Sequence, residues 1–308
     1  MDPGFVESAI RAAVKAGFLD DERPLAGFVD TTGVKRTIQG LHQSFPEHFQ
    51  HMFAAKANTM RRALELVREE GMGCEVASRG ELEQAMRSGF EARDIVFDEP
   101  AKTPALLEKV LSAGINLNID NFQEFERVRA LRTDATPTAD IGFRINPQVG
   151  AGDIGAMSTA TPSSKFGVAL DDEGNREALI ECYGSHGWLN SLHTHVGSQG
   201  CSLELMTAGV KKVVALADEI NEHAGRRQVG VMVSGGGLPV NFDSVEVTPR
   251  FADYADRVQE HAPALCEGRY RVKTGVGGSV MAASGGGGAR GAAAVTAGGR
   301  RLGGTHAG

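Results

Sequence analysis

The sequence predicts an α/β chain closed as a (β/α)8 barrel, on three observations. From Met52 onward, short β-rich runs alternate with amphipathic helical stretches, the order produced by parallel strands joined through helical crossovers. These runs number eight. Several end on reactive residue types, and the C-terminal ends of strands are where a barrel builds its sites. A doubly wound open sheet is the competing arrangement.

Residues 1–24 read as a helical lead-in, 25–274 as the barrel and 275–308 as a separate tail. The first barrel strand, 52–55, runs straight into Lys56, and Asn58-Thr59 then opens a helix over 60–70 that Gly71 stops. A second strand over 74–77 meets Ser78-Arg79-Gly80-Glu81, a capping box, and Gly89 ends that helix. After the strand 95–97, Thr103-Pro104 places proline in a first helical turn, and after 117–119 Asn121 with Glu124 starts the next helix. The strands 141–145, 191–196, 229–234 and 270–274 complete the set. One connection, from Asn146 to Ser164 through Gly150, Gly152 and Gly155, is long enough to face a ligand or to be a surface excursion.

Composition narrows the partners. The chain has 308 residues, 41% hydrophobic and 23% charged, with a formal net charge of −7, so a sizeable core is available and small molecules fit better than nucleic acid or an anionic membrane. Charged residues from Asp2 to Asp21 leave no apolar signal core, and no later run is long enough to span a bilayer, which points to the cytoplasm. Cys74, Cys182, Cys201 and Cys266 are scattered, with neither zinc-type nor disulfide-type spacing, and no metal site is expected.

Three segments carry chemistry. Lys56 offers an amine that would form an imine with an aldehyde if partial burial beside apolar neighbours lowered its proton affinity; alternatively it simply leaves the strand end for solvent. Alternation sends His193 and His195 to one side of their strand, where His195 could stack on a planar ligand and Ser198 could hydrogen-bond a phosphate; His-x-His alone lacks a third metal ligand. Gly235, Gly236 and Gly237 after the seventh strand let backbone N–H groups approach an anion, at the place where barrels recurrently bind phosphate; a tight turn is the plainer reading. An amine, an imidazole and a phosphate cradle together meet the needs of pyridoxal phosphate.

An ordered series of motifs strengthens this: Phe53-Ala54-Ala55-Lys56-Ala57-Asn58, Cys74-Glu75-Val76-Ala77-Ser78-Arg79-Gly80-Glu81-Leu82, Phe143-Arg144-Ile145-Asn146-Pro147, Ser164-Lys165-Phe166-Gly167, His193-Thr194-His195-Val196-Gly197-Ser198-Gln199 and Gly235-Gly236-Gly237. Over about residues 25–274 the chain resembles the barrel-type (fold type III) pyridoxal-phosphate amino-acid decarboxylases, which include the diaminopimelate, ornithine and arginine decarboxylases, and it looks most like the diaminopimelate branch. The resemblance implies an alanine-racemase-like barrel and pyridoxal 5'-phosphate as cofactor. It implies that Lys56 carries the cofactor, His195 stacks on its ring, Ser198 with Gly235, Gly236 and Gly237 binds its phosphate, and Glu75 and Arg144 support the site. It also implies decarboxylation of an amino acid, meso-diaminopimelate to lysine, in a homodimer whose site is completed by a β-domain following the barrel.

The chain departs from the family at and beyond the eighth strand. Gly275 and Gly278 stand where the family carries an acidic partner of the pyridine nitrogen and an arginine on the phosphate. Residues 275–308 hold 13 glycines and look disordered, with nothing matching the β-domain, as a fragment, a degraded copy or a faulty sequence would. Three functions are compatible: an amino-acid decarboxylase, a cofactor-binding barrel without efficient turnover, akin to single-barrel pyridoxal-phosphate homeostasis proteins, and an amino-acid racemase.

Overall fold

The computed structural model describes residues 3–152, 159–162, 164–197, 200–238, 240, 249–281, 285–289, 294–297 and 300–303. Helix α1 (Pro3–Lys15), strand β1 (Leu25–Val29) and helix α2 (Thr31–Ser44) precede the barrel. The eight expected runs follow as β2 (Phe49–Ala54), β3 (Gly73–Val76), β4 (Ile95–Phe97), β5 (Asn116–Ile119), β6 (Ile141–Asn146), then, after a two-residue β7 (Val168–Ala169), β8 (Ser191–His195), β9 (Val231–Gly235) and β10 (Arg271–Val276). They pair in parallel in the order β5-β4-β3-β2-β10-β9-β8-β6, and β6 pairs back onto β5. The ring is closed, which excludes the open doubly wound sheet.

The helices are α3 (Arg61–Glu69), α4 (Arg79–Arg87), α5 (Pro104–Ser112), α6 (Phe122–Leu131), α7 (Asn175–Ser185), α8 (Leu203–Ala224), α9 (Phe251–His261), α10 (Pro263–Cys266) and α11 (Gly278–Met281). Their starts follow side-chain chemistry. Ser78, Thr103 and Asn121 each accept a hydrogen bond from the amide three residues on, and Glu81 accepts from Ala77, closing the capping box one residue further back than the simple pattern. Asn58 instead accepts from the Met60 amide at 3.0 Å as a turn, so α3 begins at Arg61, later than the sequence suggests.

Strand alternation divides the molecule into two interiors. Phe53, Cys74, Phe97, Leu117, Phe143, Leu192 and Val272 belong to the large apolar layer shared with the helices, whereas Met52, Val96, Val231 and Val233 form a separate small cluster. The latter are inward-facing residues, an apolar plug within the ring. On the same inward parity lie Glu75, Arg144, His193, His195, Gly235 and Gly275. Closure is tight: a Cβ on Gly142 would lie 1.6 Å from the Ser191 carbonyl oxygen, so the β6–β8 contact requires glycine.

The Gly-rich tail differs from the expectation of disorder in its described residues, which form β11 (Gly285–Ala289), β12 (Ala294–Ala297) and β13 (Arg300–Gly303). Strand β11 runs antiparallel to β1, from Leu25 opposite Ala289 to Val29 opposite Gly285, and β12 and β13 extend that sheet. The pairing uses main-chain groups, which glycine carries as fully as any residue, and β1 offers it an edge outside the barrel. No helix among the described residues is long and apolar enough to cross a membrane.

Candidate functional site

Short polar segments at the C-terminal ends of the barrel strands converge on one mouth. Lys56 lies in a 3-10 turn, Ala55–Ala57, directly after β2. It is exposed, so the burial expected from its apolar neighbours does not extend to the lysine itself. Its charge nevertheless acts on both Glu75 and His195, which places the amine over the same opening.

The centre of the mouth is a buried ion cluster. Asp98, immediately after β4, accepts from Arg144 Nη1 at 2.9 Å on Oδ2 and from Asn118 Nδ2 at 3.2 Å on Oδ1, and His193 Nδ1 lies 3.3 Å from that same Oδ1. Burial alone would raise the Asp98 carboxyl, but Arg144 and His193 hold it well below the usual carboxylate range. Asp98 therefore fixes Arg144 as a charged group. Arg144 also lies over the Phe166 ring, 4.8 Å from its centroid, so Ser164-Lys165-Phe166-Gly167 is folded against the cluster. Asp120, after β5, accepts from the Gly167 amide at 3.1 Å, which ties that segment down. Behind them, Lys102 and Glu124 form a buried pair at 2.6 Å.

Glu75 and His195 face each other across this opening. Glu75 is buried, and its Oε2 has no hydrogen-bond partner. Burial and the nearby charge of Asp98 push its carboxyl up, against the pull of Lys56, His193 and Arg144. His195 is driven well below its ordinary value, first by burial and then by the positive charges of Lys56 and Arg144. It is a neutral imidazole at neutral pH, suited to stacking on an aromatic ring. The rings of His193 and His195 lie 6.4 Å apart on one side of β8, as alternation requires.

A glycine-lined rim completes the mouth. Gly236 has φ +115°, and a Cβ there would lie 2.8 Å from the Gly197 carbonyl oxygen, so no other residue fits without strain. A Cβ on Gly237 would stand 3.9 Å from both the Gly277 amide nitrogen and Ser279 Oγ, and that hydroxyl is buried without a partner. A phosphate would satisfy it. Ser198, expected beside these glycines, lies outside the described residues, as does part of the Asn146–Ser164 connection. The described ends of that connection cross β8: Thr159 donates to the Val196 carbonyl at 3.0 Å, and Asn146 Nδ2 to that of Thr161 at 2.9 Å.

The residues present therefore fit pyridoxal phosphate: an amine, a neutral ring-stacking imidazole, a glycine cradle, and two orphaned polar atoms. Asp98, Asp120 and Ser279 were not singled out by sequence. Asp98 and Asp120 each stand one residue past a barrel strand, the position that made Lys56 conspicuous, so the strand-end rule alone could have found them. Among the described residues no cluster of three or more potential metal ligands occurs.

Comparison with known proteins agrees with this geometry. A family model described as pyridoxal-dependent decarboxylase, pyridoxal binding domain, matches residues 31–278. The diaminopimelate decarboxylase of Bacteroides thetaiotaomicron is 30% identical over 233 residues, 74% of this chain and 59% of that protein. That of Pseudomonas aeruginosa is 29% identical over 215 residues, covering 68% and 49%. The crystal structure of diaminopimelate decarboxylase from Helicobacter pylori complexed with L-lysine matches with a TM-score of 0.74 at 24% identity, over 85% of this chain and 65% of that one. This last likeness bears on the fold. The chain spans roughly half to three fifths of the length of these curated relatives.

Proposed function

The chain belongs to the pyridoxal-dependent decarboxylase family, whose pyridoxal-binding domain it carries, and from that membership we propose that it serves the decarboxylation of an amino acid, meso-diaminopimelate first among candidates. The observation that supports this best is the convergence of Lys56, a neutral His195 and the unpartnered Glu75 Oε2 on one glycine-rimmed opening. In this reading Lys56 holds the cofactor through its amine, His195 takes the face of its ring, and Ser198 with Gly235, Gly236 and Gly237 receives its phosphate, helped by Ser279. When bound, the cofactor supplies an electron sink for the pair left on the substrate Cα as carbon dioxide departs. The protein's contribution is orientation and proton handling. Arg144, clamped by Asp98 and covered by Phe166, keeps positive charge beside Glu75, and Lys56, or an acid from elsewhere, would return a proton to Cα. A cytoplasmic homodimer belongs to the same proposal, and equilibrium sedimentation tests the dimer.

Borohydride reduction of the loaded protein, followed by digestion and mass spectrometry, should leave a phosphopyridoxyl group on Lys56. An unmodified Lys56 peptide would overturn the reading. Carbon dioxide release over diaminopimelate, ornithine, arginine and lysine then selects the substrate. A second reading, a barrel that binds cofactor with little turnover, is favoured by Gly278, whose missing guanidinium removes a charge-assisted phosphate contact of about 1.5–3 kcal/mol. Modification at Lys56 without carbon dioxide release from any of the four would establish it.

A further inference from the structure

The glycine at 275 opens a space on the inner wall of β10, and another residue fills it. A Cβ built on Gly275 would lie 2.1 Å from Glu75 Oε2 and 3.1 Å from its Cδ. A side chain at 275 and the present position of Glu75 exclude each other. The Glu75 carboxyl thus reaches from β3 across β2 and delivers an oxygen to the spot into which residue 275 would project.

That oxygen lacks a donor. Glu75 Oε2 is buried without a hydrogen bond, while Arg144 Nη1 and Asn118 Nδ2 donate to Asp98. Leaving a buried acceptor in this state is costly, so its retention points to a donor brought by a ligand. The ligand's place is bounded on the other side by His195: a Cβ on Gly235 would lie 2.5 Å from His195 Nδ1, and the Gly275 Cβ position is 3.4 Å from Gly235 Cα. The stacking imidazole and the orphan oxygen therefore border the same pair of glycines. The donor chemistry that suits the gap is the N–H of a flat, cationic heteroaromatic ring.

We propose that Glu75 is the partner of the pyridine nitrogen in the bound cofactor, taking from β3 the role that an acidic residue at 275 would perform from β10. The proposal rests on the pyridoxal phosphate reading of the site. In the ligand-free site burial and Asp98 push the Glu75 carboxyl up against the pull of Lys56, His193 and Arg144. A pyridinium N–H at Oε2 would add the positive partner that favours its ionised form, and the ionised carboxyl in turn keeps that nitrogen protonated, which strengthens the electron sink. Gly275 is then no loss of the group but its relocation by two strands.

The test compares binding of pyridoxal phosphate with that of its 1-deaza analogue, which carries C–H in place of the ring nitrogen, by equilibrium titration of the cofactor-free protein. The unaltered protein should prefer the nitrogen-containing ring by about ten- to a hundredfold. Glu75→Gln should erase the preference. Gly275→Ala, which leaves the carboxyl in the protein but displaces its oxygen, should do the same, and Glu75→Gln combined with Gly275→Glu should recover it. With 15N at the ring nitrogen, the bound cofactor should give a protonated-pyridinium NMR shift in the unaltered protein and a neutral-pyridine shift in Glu75→Gln. A Glu75→Gln protein that still acquires the phosphopyridoxyl group on Lys56 yet keeps both preference and pyridinium shift would overturn the assignment while sparing the function. Absence of that group from the unaltered protein would overturn both.

Discussion

The two ends of the barrel both pair their buried ions, but they differ in the polar atoms left over. At the N-terminal end of the strands Asp140 accepts from Arg271 at 2.7 Å and from Lys273 at 2.8 Å, and its amide donates to Asn116 Oδ1 at 2.9 Å. Asn116 in turn donates to the carbonyls of Arg93 and Ile95, and Asn190 accepts from the Ile141 amide. Every named group there has a partner. At the C-terminal end, Glu75 Oε2, His193 Nε2 and Ser279 Oγ are buried without a hydrogen bond. The named groups of the first end are paired within the protein, whereas the mouth holds polar atoms that a ligand would saturate. This is the division between stability and function that a barrel makes along its axis.

The sharpest way to break that contrast is to remove charge from the saturated end. Asp140→Asn strands Lys273, whose side chain is 5% exposed, without its counter-ion. The expected cost is about 3–5 kcal/mol of unfolding free energy, measured by urea titration, with cofactor affinity of the folded protein unchanged. A loss as small as that of an exposed pair such as Arg11–Glu7, where about 1 kcal/mol or less is at stake, would mean that the floor is not the stabilising element.

Acid probes the comparison next. His51, a residue of β2, packs against His42 and Phe45 with Nδ1 2.6 Å from Thr274 Oγ1, and burial, aided by the charge of His42, pushes it down to about 4. A histidine with a depressed folded-state value is protonated more readily when unfolded, so the unfolded state gains protons as pH falls below the ordinary value of 6.5. Stability should therefore decline between pH 6.5 and about 4, by roughly 3 kcal/mol from this group, and His51→Gln should flatten that part of the profile. An unchanged slope would exclude His51 as its source. His195 at the mouth shifts in the same direction, so His195→Gln adds a second, separable flattening.

What the sequence revealed and what it withheld follow the same axis. The eight barrel strands were legible because they are runs of apolar β-formers, several of them with a following cap or glycine, a local signal. Lys56, His193, His195 and the three glycines were legible because they terminate such runs. The Asp98–Arg144–His193 cluster was not, since its members come from β4, β6 and β8 and meet only when the ring closes. Strand β1 and the tail strands escaped for a different reason: Leu25–Val29 is interrupted by Gly27, and β11 is four glycines and an alanine, so their pairing rests on main-chain groups that leave no side-chain pattern. The relation between Glu75 and Gly275 is likewise invisible in one dimension, because a missing side chain on one strand is answered by a carboxyl 200 positions earlier.

The smallest expected effect is the most diagnostic of the mouth, because its two parts have opposite signs. Ser279→Ala removes a buried hydroxyl that has no partner, so the cofactor-free protein should become more stable by about 1 kcal/mol. Part of that gain, a few tenths, comes from alanine's better helix propensity in α11 and carries no functional meaning. Affinity for pyridoxal phosphate should nevertheless fall, by about two- to tenfold, because a hydrogen bond to the phosphate is lost. Thermal melts with and without cofactor measure both quantities on one sample. A variant that gains stability and binds as before would show that the Ser279 hydroxyl serves no ligand, whereas opposite changes would tie the unsaturated end of the barrel to the molecule that saturates it.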